Sequence, residues 1–207
     1  AQQFLDGLPD AAQFTVGLNM DIFGFGFGNK NWSTSFNVKL RNSETISLPK
    51  ELFGFMKASL ASGDYLIENT NVNTISYLET SVTHSHKIGD NLTIGGGLKF
   101  LEGIAYADVT INEIDAKLHD SEWLVKSNGT IKASLPGATY KLDPETQTFD
   151  GVEDFKPGVP KSYGFAMDLG AEYDFKDLVD GLKVSAALMD LGFIGWAEMN
   201  TFATNNN

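Results

Sequence analysis

Residues 30–42 read KNWSTSFNVKLRN. Trp32, Thr34, Phe36, Val38 and Leu40 fall on one parity; Asn31, Ser33, Ser35, Asn37, Lys39 and Arg41 fall on the other. Successive side chains of a strand point to opposite faces, so the stretch predicts a β-strand with one apolar and one polar face. Two environments suit such a strand. The apolar face packs on the core of a soluble protein, or it meets lipid while the polar face lines the inside of a barrel. The rest of the chain bears on that choice.

The same period recurs elsewhere. "FTVGLNMDIFGFGFG" (14–28) alternates through Phe14, Val16, Leu18, Met20 and Ile22, then shifts by one to Phe23, Phe25 and Phe27, which predicts a bulge or bend. "YGFAMDLGAEYDF" (163–175) sets Tyr163, Phe165, Met167 and Leu169 against Gly164, Ala166, Asp168, Glu172 and Asp174. Further strands are expected over 73–87, 92–100, 104–116, 122–134 and 182–196, with tight turns at Gly28–Lys30, Gly89–Asn91 and Lys176–Gly181. Residues 42–72 do not alternate and read as a long connection. Within it Pro49 and the stripe Leu52, Phe53, Met56 and Leu60 predict a short helix at about 49–60. A Pro/Gly/Asp-rich loop is expected over 135–161 and a disordered tail over 201–207.

The sum is all-β: one domain over 1–207, an antiparallel up-and-down meander of about eight strands, with a short helix in one long loop. Tight turns and long connections alternate, as in a barrel with turns at one end and extended loops at the other. Aromatics at strand ends (Phe27, Trp32, Tyr163, Phe175, Phe193 and Trp196) suit interfacial girdles.

Composition narrows the function classes. Hydrophobic residues make up 42% and charged residues 20% of the 207, which excludes wholesale disorder. No run of about 18 apolar residues exists, so no transmembrane helix is expected, a test that says nothing against membrane strands. There is no cysteine, hence no disulfide, thiolate metal site or cysteine nucleophile. The formal charge of -12 argues against nucleic acid as a partner. No G-x-S-x-G, H-E-x-x-H or EF-hand pattern occurs, so neither catalysis nor a cofactor is expected. "THSH" puts His84 and His86 on one strand face, but no third ligand is near and His119 is remote. They are weak metal candidates, read as polar lumen or surface residues. "GFGFGNK" fails as a phosphate loop because Asn29 stands where glycine is needed and a strand follows; its glycines relieve crowding between strands.

"LNMDIFGFGF", "WSTSFNVKLR", "SLPKELFGFMK", "IGGGLKFLEGIA", "WLVKSNGTIKAS", "YGFAMDLGAEYDF" and "LMDLGFIGW" together resemble an uncharacterised family of outer-membrane β-barrels from Bacteroidota. That family is similar in style to fatty-acid-transporter-like and PorP-like barrels. The resemblance covers roughly residues 4–198. It implies a bacterial outer-membrane location, outer-membrane lipid as partner, and passage or display of a hydrophobic or small polar solute. It also implies an internal fragment of a longer barrel, whose exposed strand edges would self-associate. In such a wall Phe36, Val38, Leu40, Phe165, Met167 and Leu169 are lipid-facing. Lys39, Arg41, Asp168, Glu172 and Asp174 are lumen-facing, as opposed basic and acidic groups that tune passage. The alternative is a soluble β-barrel or sandwich that binds a lipid or glycan, its apolar faces inside.

Overall fold

A computed structural model describes residues 7, 9–58, 61–119, 122–156, 158–179 and 181–206. Its elements run β1 (Ala11–Gly28), β2 (Trp32–Pro49), α1 (Lys50–Ala58), β3 (Gly63–Ile88), β4 (Leu92–His119), β5 (Glu122–Ser134), β6 (Ala138–Leu142), β7 (Phe149–Phe155), β8 (Ser162–Asp174), β9 (Lys183–Gly195) and β10 (Asn200–Asn206). All pairing is antiparallel. Eight strands form one sheet, and β6 and β7 form a separate hairpin.

The large sheet is a meander with one unusual lane. β1, β2, β3 and β4 pair in order. The free edge of β4 is then shared by two strands laid end to end. β5 pairs with Tyr106–His119, and β8 pairs with Leu92–Gly103. Ser134 at the end of β5 stands opposite Tyr106, and Ser162 at the start of β8 stands opposite Gly103. One strand path is therefore interrupted by an excursion over 135–161, and resumes where it stopped. β9 and β10 make the next lane in the same way, β9 beside β8 and β10 beside β5. Among the described residues β1 has a strand partner on one edge only, as does the β9–β10 lane, so the sheet is open and closes no barrel.

Several expected boundaries are corrected. Residues 42–49 and 63–72 belong to β2 and β3, which leaves only α1 and a short link between those strands. Asn42, Ser43, Glu44, Thr45, Thr70, Asn71 and Asn73 are polar on both parities, so alternation disappears although the backbone ladder continues. Side chains add polar rungs: Asn42 Nδ2 donates to Ser76 Oγ at 2.6 Å and Asn71 Nδ2 to Thr110 Oγ1 at 3.1 Å. The expected strands at 92–100 and 104–116 are one strand, β4. The register shifts there between Ser76 and Tyr77 of β3, leaving Ile104 extra and exchanging the parity of the apolar residues. The loop 135–161 contains the β6–β7 hairpin. The expected tail at 201–207 is strand β10 as far as Asn206, because its backbone completes a ladder with Ser127–Ala133 and Phe202 packs on Tyr140 and Phe149 at 5.1 and 5.2 Å. Asn207 and Leu60, the last of the helix stripe, lie outside the described residues. The shift after Ile22 is a bulge between Asp21 and Phe23, as the alternation predicts.

The tight turns after β1, β3 and β8 share one end of the sheet. Asn29 closes the first, its Oδ1 accepting from the Asn31 N–H at 2.8 Å. The other two are tied together, since Asn91 Nδ2 donates to Asp177 Oδ2 at 2.7 Å and Lys176 Nζ to Asp90 O at 3.3 Å. α1 lies towards the other end, with Phe55 edge-on to Tyr65 at 5.0 Å.

The sheet bows towards its polar face. Cα atoms of β4 and β9, which are two lanes apart, come within 8 Å, whereas a flat sheet would hold them about 9.6 Å apart. A Cβ on Gly192 would lie 2.2 Å from Phe165 O, so only glycine lets β8 and β9 approach so closely.

Candidate functional site

Cross-strand register places six lanes in rows. One apolar row runs Phe25, Phe36, Val82, Leu98, Met167 and Leu191. The next runs Phe23, Val38, Thr80, Phe100, Phe165 and Phe193. Leu40 and Leu169 lie on the same face one row beyond at either side, so all six residues expected to share an apolar surface do share a face. That face is bare. Leu98 is 73% exposed, Phe193 69% and Phe165 61%. Farther from the turns the same face becomes polar at Asn42, Ser76, Glu44 and Thr74.

The opposite face is the enclosed one. Glu79 is 2% and Lys99 4% exposed, both on the polar parity. Buried charges are costly unless paired and hydrogen-bonded, and these are. Arg41 Nε donates to Glu79 Oε2 at 3.0 Å and Arg41 Nη1 to Asn19 Oδ1 at 3.1 Å. Lys99 Nζ lies 2.7 Å from Asp168 Oδ2 and 2.5 Å from Asp190 Oδ1. The charges alternate diagonally across the sheet, from Arg41 on β2 through Glu79 on β3 and Lys99 on β4 to Asp168 and Asp190. Asp190 sits at a bulge between β8 and β9 with φ +57°, a conformation aspartate tolerates better than most residues. Its N–H donates to Asp168 Oδ1 at 2.8 Å.

The expected polar set is on this face but paired differently. Lys39 lies 3.3 Å from Asp21, and Arg41 meets Glu79 rather than the β8 carboxylates. Glu172 and Asp174 sit nearer the turns, 3.3 and 3.9 Å from Lys183. The nearest ion pairs of Lys39 and Arg41 are therefore with other residues, while Arg41 also acts on the Asp168 carboxylate from across the strip. Each basic residue is matched by a carboxylate on a neighbouring strand, within reach of its short lateral spacing. Glu79, Lys99 and Asp190 were not singled out by sequence. Lys99 was readable, as the charged residue between Leu98 and Phe100. Asp190 was not, because the bulge hides its parity.

Above the strip the polar face carries a hollow of about 210 Å³, lined by Ile75, Tyr77, Leu101, Ala166, Ile194 and Trp196, with Asp190 at its side. The Trp196 ring lies over Gly103, where a Cβ would come within 2.6 Å of it, and meets Tyr106 at 5.2 Å.

His84 and His86 lie exposed on the apolar face. His84 pairs across with Thr34 and Gly96, and His86 with Trp32 and Ile94. Their rings stack at 6.3 Å, His84 also stacks on Trp32 at 6.1 Å, and Thr34 Oγ1 lies 2.8 Å from His84 Nδ1. Among the described residues no three His, Asp or Glu side chains are grouped as a metal site. His119 is elsewhere, 3.3 Å from Asp64.

The sequence pattern of a family of unknown function, DUF5723, matches residues 1–207. The chain belongs to that family. The match spans the residues of both the interrupted lane and the charged strip. Comparison with curated proteins and with solved structures returned no match.

Proposed function

We propose that this DUF5723 chain forms the wall of a bacterial outer-membrane β-barrel that passes or displays a small solute, with the apolar face against lipid and the charged strip inside. One observation carries the reading: large apolar side chains are bare on one face while Glu79 and Lys99 are enclosed at the centre of the other. Water rewards the reverse arrangement, so the exposed face suits an apolar solvent. The height of the band agrees. On β4 it runs from Leu92 to Phe100, about nine residues, against the ~9–11 a tilted strand needs to cross hydrocarbon. Open edges are not tolerated in lipid, so the proposal includes further strands, from the same protein or a second copy, beside β1 and the β9–β10 lane. Similarity to fatty-acid-transporter-like and PorP-like barrels from Bacteroidota belongs to this proposal.

Spin labels test it. The chain has no native cysteine, so labels on Leu98→Cys and Thr83→Cys report the two faces without background. In the full protein in lipid vesicles, the Leu98 label should collide with oxygen and be shielded from a water-soluble nickel relaxer. The Thr83 label should do the reverse. A Leu98 label open to nickel would discard the lipid wall and leave a soluble sheet that binds an apolar ligand.

A further inference from the structure

We infer that the hollow beside Asp190 is a binding subsite for a small organic cation, an ammonium on a single-ring or short aliphatic body. The inference deepens the proposed passage of a small solute and rests on that reading for the side from which the solute arrives.

Size comes first. At about 210 Å³ the hollow is smaller than the ~300–1,000 Å³ typical of drug-sized ligands, so it suits one ring or a few methylenes. Its walls are apolar and aromatic, from Ile75, Leu101, Ile194, Tyr77 and Trp196. A body without charge is therefore accepted there, and the sign of the head group is decided by the strip below.

Three carboxylates, Glu79, Asp168 and Asp190, face two cations, Arg41 and Lys99. Both cations are already engaged. Arg41 is held by Glu79 and Asn19, and Lys99 lies between Asp168 and Asp190. An incoming anion would have to displace a carboxylate from one of them. An incoming cation meets an excess negative charge, and it meets it at Asp190. Of the three carboxylates Asp190 is the most exposed, and it borders the hollow. The Tyr77 and Trp196 rings supply faces that attract a cation further. The bulge and its positive φ bring the carboxylate to this place on a stretch, Ala186–Gly195, that is otherwise without polar side chains.

The test is calorimetric titration of the full protein in detergent with benzylammonium, benzyl alcohol and benzoate. Benzylammonium should saturate a single site, and the other two should bind at least about tenfold more weakly. Asp190→Asn retains a residue that accepts positive φ, and should weaken benzylammonium about tenfold while leaving benzyl alcohol unchanged. Ile194→Lys places an ammonium in the hollow and should abolish benzylammonium binding, which keeps the test decisive if the first variant does not fold. Benzoate binding as tightly as benzylammonium would overturn the inference, as would benzylammonium binding that survives both substitutions. If benzylammonium fails while the Leu98 spin label stays in lipid, the subsite falls alone. If benzylammonium binds while that label is open to water, the subsite stands and the lipid wall falls.

Discussion

Ser134 and Ser162 close on the same residue, Ala197, from opposite ends of the excursion. Ser134 Oγ donates to Ala197 O at 2.5 Å, and the Ala197 N–H donates to Ser162 Oγ at 3.0 Å. Both serines are fully buried. Ala197 lies between β9 and β10, so the two hydroxyls join the interrupted lane to its interrupted neighbour at the level where neither has a ladder. Ser134→Ala leaves the Ala197 carbonyl without that donor and should cost about 1–3 kcal/mol in urea denaturation. A loss near zero would mean that water takes over the bond. Deleting 135–161 and joining the serines with two residues should keep the circular dichroism of the β1–β5 and β8–β9 lanes, since Tyr106 and Gly103 already hold the two ends in line, and should weaken only β10, whose Phe202 loses Tyr140 and Phe149.

Leu98→Arg separates the two solvents by magnitude. At a side chain 73% exposed to water, such a change is usually neutral to within about 0.5 kcal/mol. Near the midplane of a bilayer it should cost about 2–4 kcal/mol. Unfolding from lipid vesicles measures the difference directly. The proposed wall requires the larger value.

Lys99→Met removes the cation that Asp168 and Asp190 share. Breaking a buried ion pair by deleting one partner typically costs ~3–5 kcal/mol. Asp190 is half exposed, so the lower end, about 3 kcal/mol, is expected. Adding Asp168→Asn should restore part of that loss, because the repulsion between the stranded carboxylates is then relieved. Denaturation of the single and double variants gives the coupling.

The tip of the β6–β7 hairpin should respond to acid. Asp143 Oδ1 accepts from the N–H of Thr146 at 2.8 Å and of Glu145 at 2.9 Å, and these backbone bonds hold its carboxyl below the usual range. A lowered folded-state value means that the charged form stabilises the turn. The contribution is complete above the ordinary carboxyl value of 3.8 and is lost as pH falls through the depressed one. Amide protection of Thr146 should therefore hold at neutral pH and drop below about pH 4. In Asp143→Asn it should be flat over the same range.

What alternation encodes, it encoded well. Residues 14–28, 32–40 and 163–174 each set large apolar side chains against polar or small ones at alternate positions, so period two appears in the residue types, and over 163–174 it appears in burial as well. Residues 42–45 and 68–71 give no such signal, because hydrogen-bonding side chains occupy both faces while the backbone ladder continues. The interrupted lane is harder still. Ser134 and Ser162 are neighbours only through their pairing with β4, and nothing near either one in sequence announces the other. The strip was half legible for the same reason. Arg41 and Asp168 stand out in clean alternation, whereas Asp190 lies past a bulge that exchanges the faces.

The split lane also dictates an order of assembly. Six strands pair with the one made just before them, by a local hairpin that forms at little entropic expense. The lower half of β4 is different. Its inner edge is matched by β3 at once, but its outer edge, Leu92–Gly103, waits until β8 follows the whole excursion. During that interval the upper half is already zipped to β5. A nascent chain therefore carries a half-matched strand, with Leu98 and Phe100 bare and an open row of amides beside them, and any chaperone that escorts it has its natural target there.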